Sequence, residues 1–183
     1  MNILPTPIPN LMMVETTPHI DMRGAFTRLY CERELTDLTG HRRIVQINHS
    51  RTATVGTVRG LHYQHQPHAE MKMVRCLKGR VWDVAVDLRK HSPTFLRWHA
   101  QELTPDNTCM MVIPEVFAHG FQVLEPDSEL LYLHTAFHVP GAEGGLRYDD
   151  PSLSIGWPLI VADLSERDAQ HPLIDSTFQG VSL

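Results

Sequence analysis

The chain has 183 residues, a mass of 20.8 kDa and a formal net charge of −5. This length suffices for one domain with a sizeable core, and no Ser/Gly-rich or charge-rich linker divides it, so we expect a single domain over residues 1–183. Because the basic residues are dispersed rather than grouped, we expect no nucleic-acid partner, whereas small anionic ligands fit this charge pattern.

The cysteines and the N-terminal segment indicate a reducing compartment and no membrane association. Cys31, Cys76 and Cys109 are odd in number and widely spaced, and they form neither a CxxC pair nor a disulfide framework. Residues 1–14 lack a basic start and are interrupted by three prolines, so they predict neither a signal peptide nor a membrane span. We therefore expect a cytoplasmic protein.

Short strands make up most of the predicted elements. A first strand over Leu11–Thr16 leads to a turn at Asp21–Phe26, and Glu32–Thr39 is predicted as a helix that ends at Gly40. Eight further strands, each bounded by Gly, Pro, Asn, Asp or Ser, are predicted over Ile44–His49, Thr57–Gln64, Met71–Leu77, Val81–Leu88, Phe95–Leu103, Cys109–Ile113, His119–Leu124 and Glu129–Phe137. Their even spacing without intervening helices predicts an antiparallel sandwich or barrel.

The C-terminal part has a different pattern. Pro151–Ile160 is predicted to be irregular, and Ser165 has the position of an N-cap for a short terminal helix. No internal repeat or low-complexity segment is present in the sequence.

The stretch from Val58 to Lys72 combines cations, histidines and a carboxylate within a short span. On the predicted strand, alternation places Gly60, His62 and Gln64 on one face and Leu61 and Tyr63 on the other. An imidazole on the polar face, with an arginine and a lysine nearby in sequence, suits anion binding coupled to proton transfer.

A second candidate is His119, within the sequence PEVFAHGF at residues 114–121. On a strand it shares a face with Phe117, Phe121 and Val123, so it is expected to point into the barrel. A core histidine bonded to a backbone carbonyl is the structural alternative.

Two motif spacings are similar to those of cupin barrels, many of which bind one metal ion. His62, His65, His68 and Glu70 with His119 would supply a site of two histidines and one carboxylate. The strand register opposes such a site, because His62 and His65 fall on opposite faces and convergence requires a bulge. Lys72 would also repel a cation, so we expect no metal.

Eight blocks in chain order resemble the dTDP-4-dehydrorhamnose 3,5-epimerase family. They are DMRGAF (21–26), QINHS (46–50), RGLHYQ (59–64), DVAVDLR (83–89), SPTF (92–95), IPEVFAHGF (113–121), DDP (149–151) and LSERD (164–168). The resemblance implies an all-β, cupin-type jelly-roll barrel with a few short peripheral helices. It also implies a homodimer whose N-terminal segment crosses to the partner, and an epimerase without cofactor or metal that acts on a nucleotide-linked 4-keto-6-deoxysugar.

The same resemblance implies four catalytic residues. His62 is the base, Asp168 orients it and stabilises its charged form, Lys72 holds the developing O4 oxyanion, and Tyr132 donates a proton on the opposite face. Structural roles remain open for three of them: Asp168 as the N3 residue of a capped helix, Tyr132 as a core tyrosine, and Lys72 as a solvated side chain.

Substrate binding is assigned by resemblance to a second set. His119 and Arg59 hold the sugar and the diphosphate, and Asp83, with inward parity, is expected to orient His119. On a flat strand the side chains of Arg59 and His62 point to opposite faces. We therefore expect the strand to bend near Gly60, or Arg59 to act from the edge of the sheet or towards a neighbouring subunit. The nucleotide side is assigned to Arg23, Phe26, Arg28, Gln46 and Asn48, and the sugar pocket also to His138.

Departures from the family pattern fall mostly at recognition positions. Arg28 stands where the family usually has Glu, Ile47 where it has Asp, Val116 where it has Gly, and His138 where it has a second tyrosine. Arg28 replaces an acceptor with a donor, which leaves the nucleotide base open. A 3-epimerase, a 5-epimerase, a 3,4-ketoisomerase and a non-catalytic sugar-nucleotide-binding cupin are the alternatives.

Overall fold

Two antiparallel β-sheets form the body of the structure, a computed structural model that describes residues 1–182. The strands are β1 (Asn2–Pro5), β2 (Met12–Glu15), β3 (His19–Asp21), β4 (Gly24–Phe26), β5 (Gln46–Thr52), β6 (Val58–Gln64), β7 (Lys72–Lys78), β8 (Val81–Asp87), β9 (Trp98–Leu103), β10 (Cys109–Ile113), β11 (Phe117–Val123), β12 (Ser128–His134) and β13 (Glu143–Gly145). The helices described are α1 (Glu32–Thr39) and α2 (Glu166–Ala169).

The strand orders are those of a jelly roll. One sheet has the order β1-β2-β10-β7-β12-β5 and the other the order β13-β6-β11-β8-β9, while β3 and β4 form a separate hairpin. All pairings between these strands are antiparallel. The expected all-β jelly-roll class with short peripheral helices is confirmed.

Most predicted elements are present, with shifts at their ends. The helix Glu32–Thr39 and the strand Cys109–Ile113 have the predicted bounds, and Gly40 caps the helix with φ +59°. The strand predicted at Ile44–His49 lies instead at Gln46–Thr52, and the turn predicted at Asp21–Phe26 is the β3–β4 hairpin. Strands β1 and β13 were not predicted.

Apolar residues pack on both sides of each sheet, which explains the nearly continuous apolar strands. The cluster between the sheets joins Val74, Met111 and Leu130 of one sheet to Ala85 and Phe121 of the other. A second cluster covers the outer face of the five-stranded sheet, and a third lies between the six-stranded sheet and α1.

The outer cluster determines the orientation of β6. Leu61 and Tyr63 pack outwards against Leu146 and Leu153, which belong to the C-terminal part of the chain. The polar face of β6, which carries His62, therefore faces the space between the two sheets. Neither helix within residues 1–182 has the length and apolar character needed to cross a lipid bilayer.

Candidate active site

A cavity of about 610 Å³ opens between the sheets. Its walls come from β5, β6, β7, β11, β12, β13 and α2 and from the loops that lead to β7 and β13. The lining residues are Ile47, Asn48, His49, Ser50, Arg59, His62, Tyr63, Gln64, Glu70, Lys72, His119, Phe121, Tyr132, His134, His138, Glu143 and Arg167. This list contains three of the four predicted catalytic residues, and the fourth contacts one of them.

His62 and Asp168 form a hydrogen-bonded pair. His62 Nε2 lies 2.7 Å from Asp168 Oδ1, and the backbone N–H of Gly60 donates to Asp168 Oδ2 at 3.2 Å. Burial alone would raise the pKa of Asp168, but the hydrogen bond and charge of His62 and the Gly60 N–H outweigh it and lower this pKa to about 2. Asp168 is therefore a carboxylate and can only accept a hydrogen bond, so the N–H of neutral His62 is on Nε2 and donates to Asp168, which leaves the lone pair on Nδ1.

Helix α2 places this carboxylate. Ser165 caps the helix, and its Oγ accepts from the backbone N–H of Asp168 at 3.1 Å. The carboxylate itself is directed to His62 and Gly60 rather than to the helix terminus. The N-cap prediction is confirmed, and the N3 position of Asp168 coexists with its contact to His62.

A bulge in β6 resolves the parity conflict between Arg59 and His62. His119 pairs with His62 and Phe121 pairs with Arg59, so β6 has one more residue than β11 in this interval. Gly60 occupies the bulge with φ +136°, and a Cβ there would approach the carbonyl oxygen of His119 to 2.9 Å. Because of the bulge, both side chains line the same cavity.

His119 forms the second histidine–aspartate pair. Its Nε2 lies 2.8 Å from Asp83 Oδ1, and both side chains are buried. The inward orientation of His119 and its contact with Asp83 are confirmed. The ring lies edge-on to that of Tyr132, with a centroid distance of 6.2 Å.

Tyr132 faces the same cavity from β12. Its hydroxyl lies 3.2 Å from Ser50 Oγ, and burial raises its pKa, so the phenol keeps its proton. Lys72 is buried and contacts Glu70 through Nζ at 3.1 Å. The solvated alternative for Lys72 is therefore wrong.

Several predicted binding residues lie outside this cavity. Arg23 is 86% exposed and pairs with Asp21 on the β3–β4 hairpin. Phe26 and Arg28 line a separate depression, where Arg28 is paired with Glu34. Within a single chain the expectation that these three residues share a pocket with His62 is not met.

The remaining binding candidates lie at the cavity. Asn48 and His138 line it, and the side chain of Gln46 bonds to the Asn48 side chain and to the backbone of His138. His138 Nε2 lies 3.3 Å from Glu143, and Ile47 lies at the rim with 61% of its surface exposed.

Sequence reasoning missed several lining groups with charge or titratable protons, among them Arg167, Glu143 and His134. Arg167 reaches to 3.1 Å from His62 Nε2 and pairs with Glu143. His134 bonds to Glu70. Arg167 lies in the LSERD block beside Asp168, which is the signal that would have found it; His134 has no such signal.

The alternative metal site that included His65 and His68 is wrong, because the structure does not bring these histidines together with His62. Within residues 1–182, the group with ligand-like spacing is His62, Asp168 and His171, whose donor atoms lie within 4.8 Å of one another. Arg167 contacts the same His62 nitrogen, and a guanidinium there opposes a bound cation.

The fold and this cavity define a cupin-type barrel whose interior cavity is lined by the histidines of two histidine–aspartate pairs. The family model described as dTDP-4-dehydrorhamnose 3,5-epimerase matches residues 5–176. The chain belongs to the dTDP-4-dehydrorhamnose 3,5-epimerase family, and it is an isomerase of the epimerase class.

Individual relatives agree with this assignment. The dTDP-4-dehydrorhamnose 3,5-epimerase of Pseudomonas aeruginosa is 46% identical over 165 residues, which cover 89% of this chain and 90% of the relative. The structure of a dTDP-6-deoxy-D-glucose-3,5-epimerase from Legionella pneumophila, in complex with dTDP-4-keto-L-rhamnose, superposes with a TM-score of 0.91 at 39% identity, covering 98% and 97% of the two chains. The structure of a 3′-monoepimerase from Streptomyces bikiniensis, in complex with dTDP-quinovose, superposes with a TM-score of 0.87 at 30% identity, covering 93% of this chain and 86% of the other.

Proposed function

We propose that the protein inverts C3, C5 or both in a nucleotide-linked 4-keto-6-deoxysugar. The observation that carries this proposal is the placement of the His62–Asp168 pair, Lys72 and the buried hydroxyl of Tyr132 around one cavity. A carbon next to a ketone loses its proton when the resulting enolate is stabilised, and protonation from the other face inverts the centre.

His62 is the base in this mechanism. With Nε2–H bonded to Asp168, Nδ1 takes the proton from the carbon, and the ring becomes cationic beside a buried carboxylate. That carboxylate stabilises the imidazolium and fixes the ring orientation, in the manner of a base held by an aspartate.

Lys72 and Tyr132 complete the reaction. The Lys72 ammonium stabilises the negative charge that develops on O4, and burial strengthens that attraction. Tyr132 keeps its proton through the ordinary pH range and donates it to the opposite face of the sugar. One proton leaves the carbon for His62 and one arrives from Tyr132, so the sugar keeps its composition and oxidation state. Turnover is completed when His62 releases its proton to water and Tyr132 takes one from water.

Arginines supply the diphosphate site of this proposal. Arg59 and Arg167 line both the cavity and an adjacent depression of about 640 Å³, to which Arg51 contributes a third guanidinium. Guanidinium groups match phosphate oxygens in charge and in fork geometry. His119, Gln46, Asn48 and His138 then contact the sugar and the nucleoside.

The β3–β4 hairpin is proposed to complete the site of a partner subunit in a homodimer. Ile20, Met22 and Phe26 are 79%, 101% and 72% exposed, although large apolar side chains favour burial. Arg23 lies on the same hairpin, and within residues 1–182 its side chain bonds to Asp21 of that hairpin. Burying this hairpin on a second copy would cover the apolar groups and bring a cation to the nucleotide.

Mixed dimers test that arrangement. His62→Asn and Arg23→Ala should each be weakly active alone, and their co-expressed mixture should regain activity, because one site of a mixed dimer combines an intact His62 with an intact Arg23. Sedimentation should show a dimer. Activity of the mixture equal to the average of the two variants contradicts the proposal.

Product analysis tests the reaction itself. Purified protein is incubated with 4-keto-6-deoxysugar nucleotides, and proton NMR follows the sugar. An inverted C3 or C5 with the carbonyl still at C4, and loss of this product in His62→Asn, supports the proposal. A carbonyl at C3 identifies a ketoisomerase, and binding without conversion identifies a non-catalytic protein.

The nucleotide base is the second property to measure. A thermal-shift series of nucleoside diphosphates identifies it, because a bound base stabilises the fold by mass action. We propose the cytoplasm as the location, which suits the free thiols of Cys31, Cys76 and Cys109.

A further inference from the structure

Three charged or polar groups form a buried cluster in the cavity wall. Glu70 bonds through Oε1 to Lys72 Nζ at 3.1 Å and through Oε2 to His134 Nδ1 at 2.7 Å. The side chains of Glu70, Lys72 and His134 are 9%, 9% and 11% exposed. Lys72 has a role in the proposed mechanism, whereas Glu70 and His134 have none.

The register places these groups side by side. His134 of β12 is directly opposite Lys72, the first residue of β7, and Glu70 lies two residues before Lys72. The His134 ring stacks on Tyr132 with a centroid distance of 6.0 Å and an interplanar angle of 19°. The cluster therefore borders both the lysine and the tyrosine of the proposed reaction.

A chain of hydrogen bonds fixes which nitrogen of His134 carries the proton. The backbone N–H of His138 donates to Gln46 Oε1 at 3.0 Å, so the Gln46 amide nitrogen donates to Asn48 Oδ1 at 3.3 Å. The Asn48 amide nitrogen then faces His134 Nε2 at 3.3 Å and donates to it. His134 Nε2 is an acceptor, and the proton lies on Nδ1, which donates to Glu70.

The hydrogen bond from His134 to Glu70 determines how Glu70 binds Lys72. Burial alone would raise the pKa of Glu70, but the hydrogen bond from His134 and the charge of Lys72 lower it to about 2, so the group is a carboxylate. One oxygen is engaged by His134, which leaves a single oxygen for the ammonium. Lys72 is anchored through one of its three donors and keeps the others for a ligand in the cavity.

We infer that Glu70 and His134 are positioning residues for the epimerisation: the Nδ1–H of His134 orients the Glu70 carboxylate, which holds the Lys72 ammonium towards the sugar oxyanion. This inference rests on the proposed function. Without the anchor, the four-carbon lysine side chain samples other rotamers, and misplacement of a charge at the reacting centre lowers the rate.

Non-additivity of variants tests the inference for Glu70. We expect Glu70→Gln to lower kcat about tenfold with KM changed less than about threefold, since Lys72 acts on the oxyanion. In a Lys72→Met background, Glu70→Gln should have no further effect, because nothing is left to position. Deuterium uptake from heavy water at the epimerised carbon is sensitive enough to measure the slow variants.

A matched pair of substitutions tests His134. The amide nitrogen of Asn takes the place of histidine Nδ1, so His134→Asn keeps the donor to Glu70 and should retain most of kcat. His134→Leu has similar size without a donor and should lose about as much as Glu70→Gln. Far-UV circular dichroism and melting temperature confirm that each variant is folded.

The outcomes separate this inference from the proposed function. If the wild type is inactive on every 4-keto-6-deoxysugar nucleotide, the proposed function fails and the inference with it. If the wild type is active but Glu70→Gln is equally harmful with and without Lys72, or His134→Asn and His134→Leu lose equal activity, the inference alone is overturned.

Discussion

Replacing Asp168 with Asn removes the charge that stabilises protonated His62 and keeps a side chain of the same size. A fall in the pKa of Asp168 from 3.8 to about 2 corresponds to about 2.4 kcal/mol in favour of the ionised carboxylate in its site, and the hydrogen bond and charge of His62 are the largest causes that lower it. If the transition state loses that interaction, the rate falls by a factor of about 60. We therefore predict that Asp168→Asn lowers kcat by one to two orders of magnitude.

The assay is the rate of deuterium uptake at the sugar carbon, measured by NMR in heavy water. Glu166→Gln is the matched control, because it makes the same chemical change at an exposed position of the same helix and should leave the rate unchanged. Equal melting temperatures would show that both variants are folded. A folded Asp168→Asn protein whose rate stays within about threefold of wild type would refute the role of the carboxylate.

Other parts of the site give further predictions. Gly60→Ala should destabilise the fold by roughly 2–5 kcal/mol and abolish activity, because the new Cβ would press on the His119 carbonyl at a positive φ. Gly141 also has a positive φ but faces open space, so Gly141→Ala should cost only about 1 kcal/mol. Urea denaturation measures the free energy of unfolding of both variants. Asp168 and Glu70 have lowered pKa values, so their contribution to stability is complete above their ordinary values of 3.8 and 4.5 and is lost as the pH falls towards 2. The free energy of unfolding should fall steeply over that interval, and less steeply in Glu70→Gln; parallel curves would contradict this. Tyr132→Phe should let deuterium enter the recovered substrate while inverted product falls, since His62 still removes the proton; unchanged product formation would exclude Tyr132 as the donor.

Periodicity and turn residues predicted most strands and the inward face of His119. They also located Ser165 and the pairing of His119 with Asp83, because local capping and strand parity determine both. Strand β1 was missed since prolines interrupt its surroundings, and β13 is only three residues long. Such short edge strands depend on their neighbours for pairing and leave a weak pattern in the sequence.

The site depends on contacts that no local pattern contains. The bulge at Gly60 brings Arg59 to the cavity, and the sequence showed only that a conflict existed. His134 and Glu70 meet because β7 and β12 are neighbours, which spacing along the chain does not reveal. Val116 adopts φ +64° and is buried in the outer cluster. A β-branched residue is rarely found in that conformation, and the sequence alone gives no reason for it.

Position-resolved deuterium labelling tests the central claim most directly. The wild-type protein is incubated in heavy water with a nucleotide-linked 4-keto-6-deoxysugar, and each sugar carbon is examined by NMR. Abstraction by His62 and return of a proton from the opposite face predict one deuterium at each inverted carbon, none at the other carbons, and no labelling with His62→Asn. Inversion without deuterium, or labelling that persists at the same rate in His62→Asn, would contradict the account.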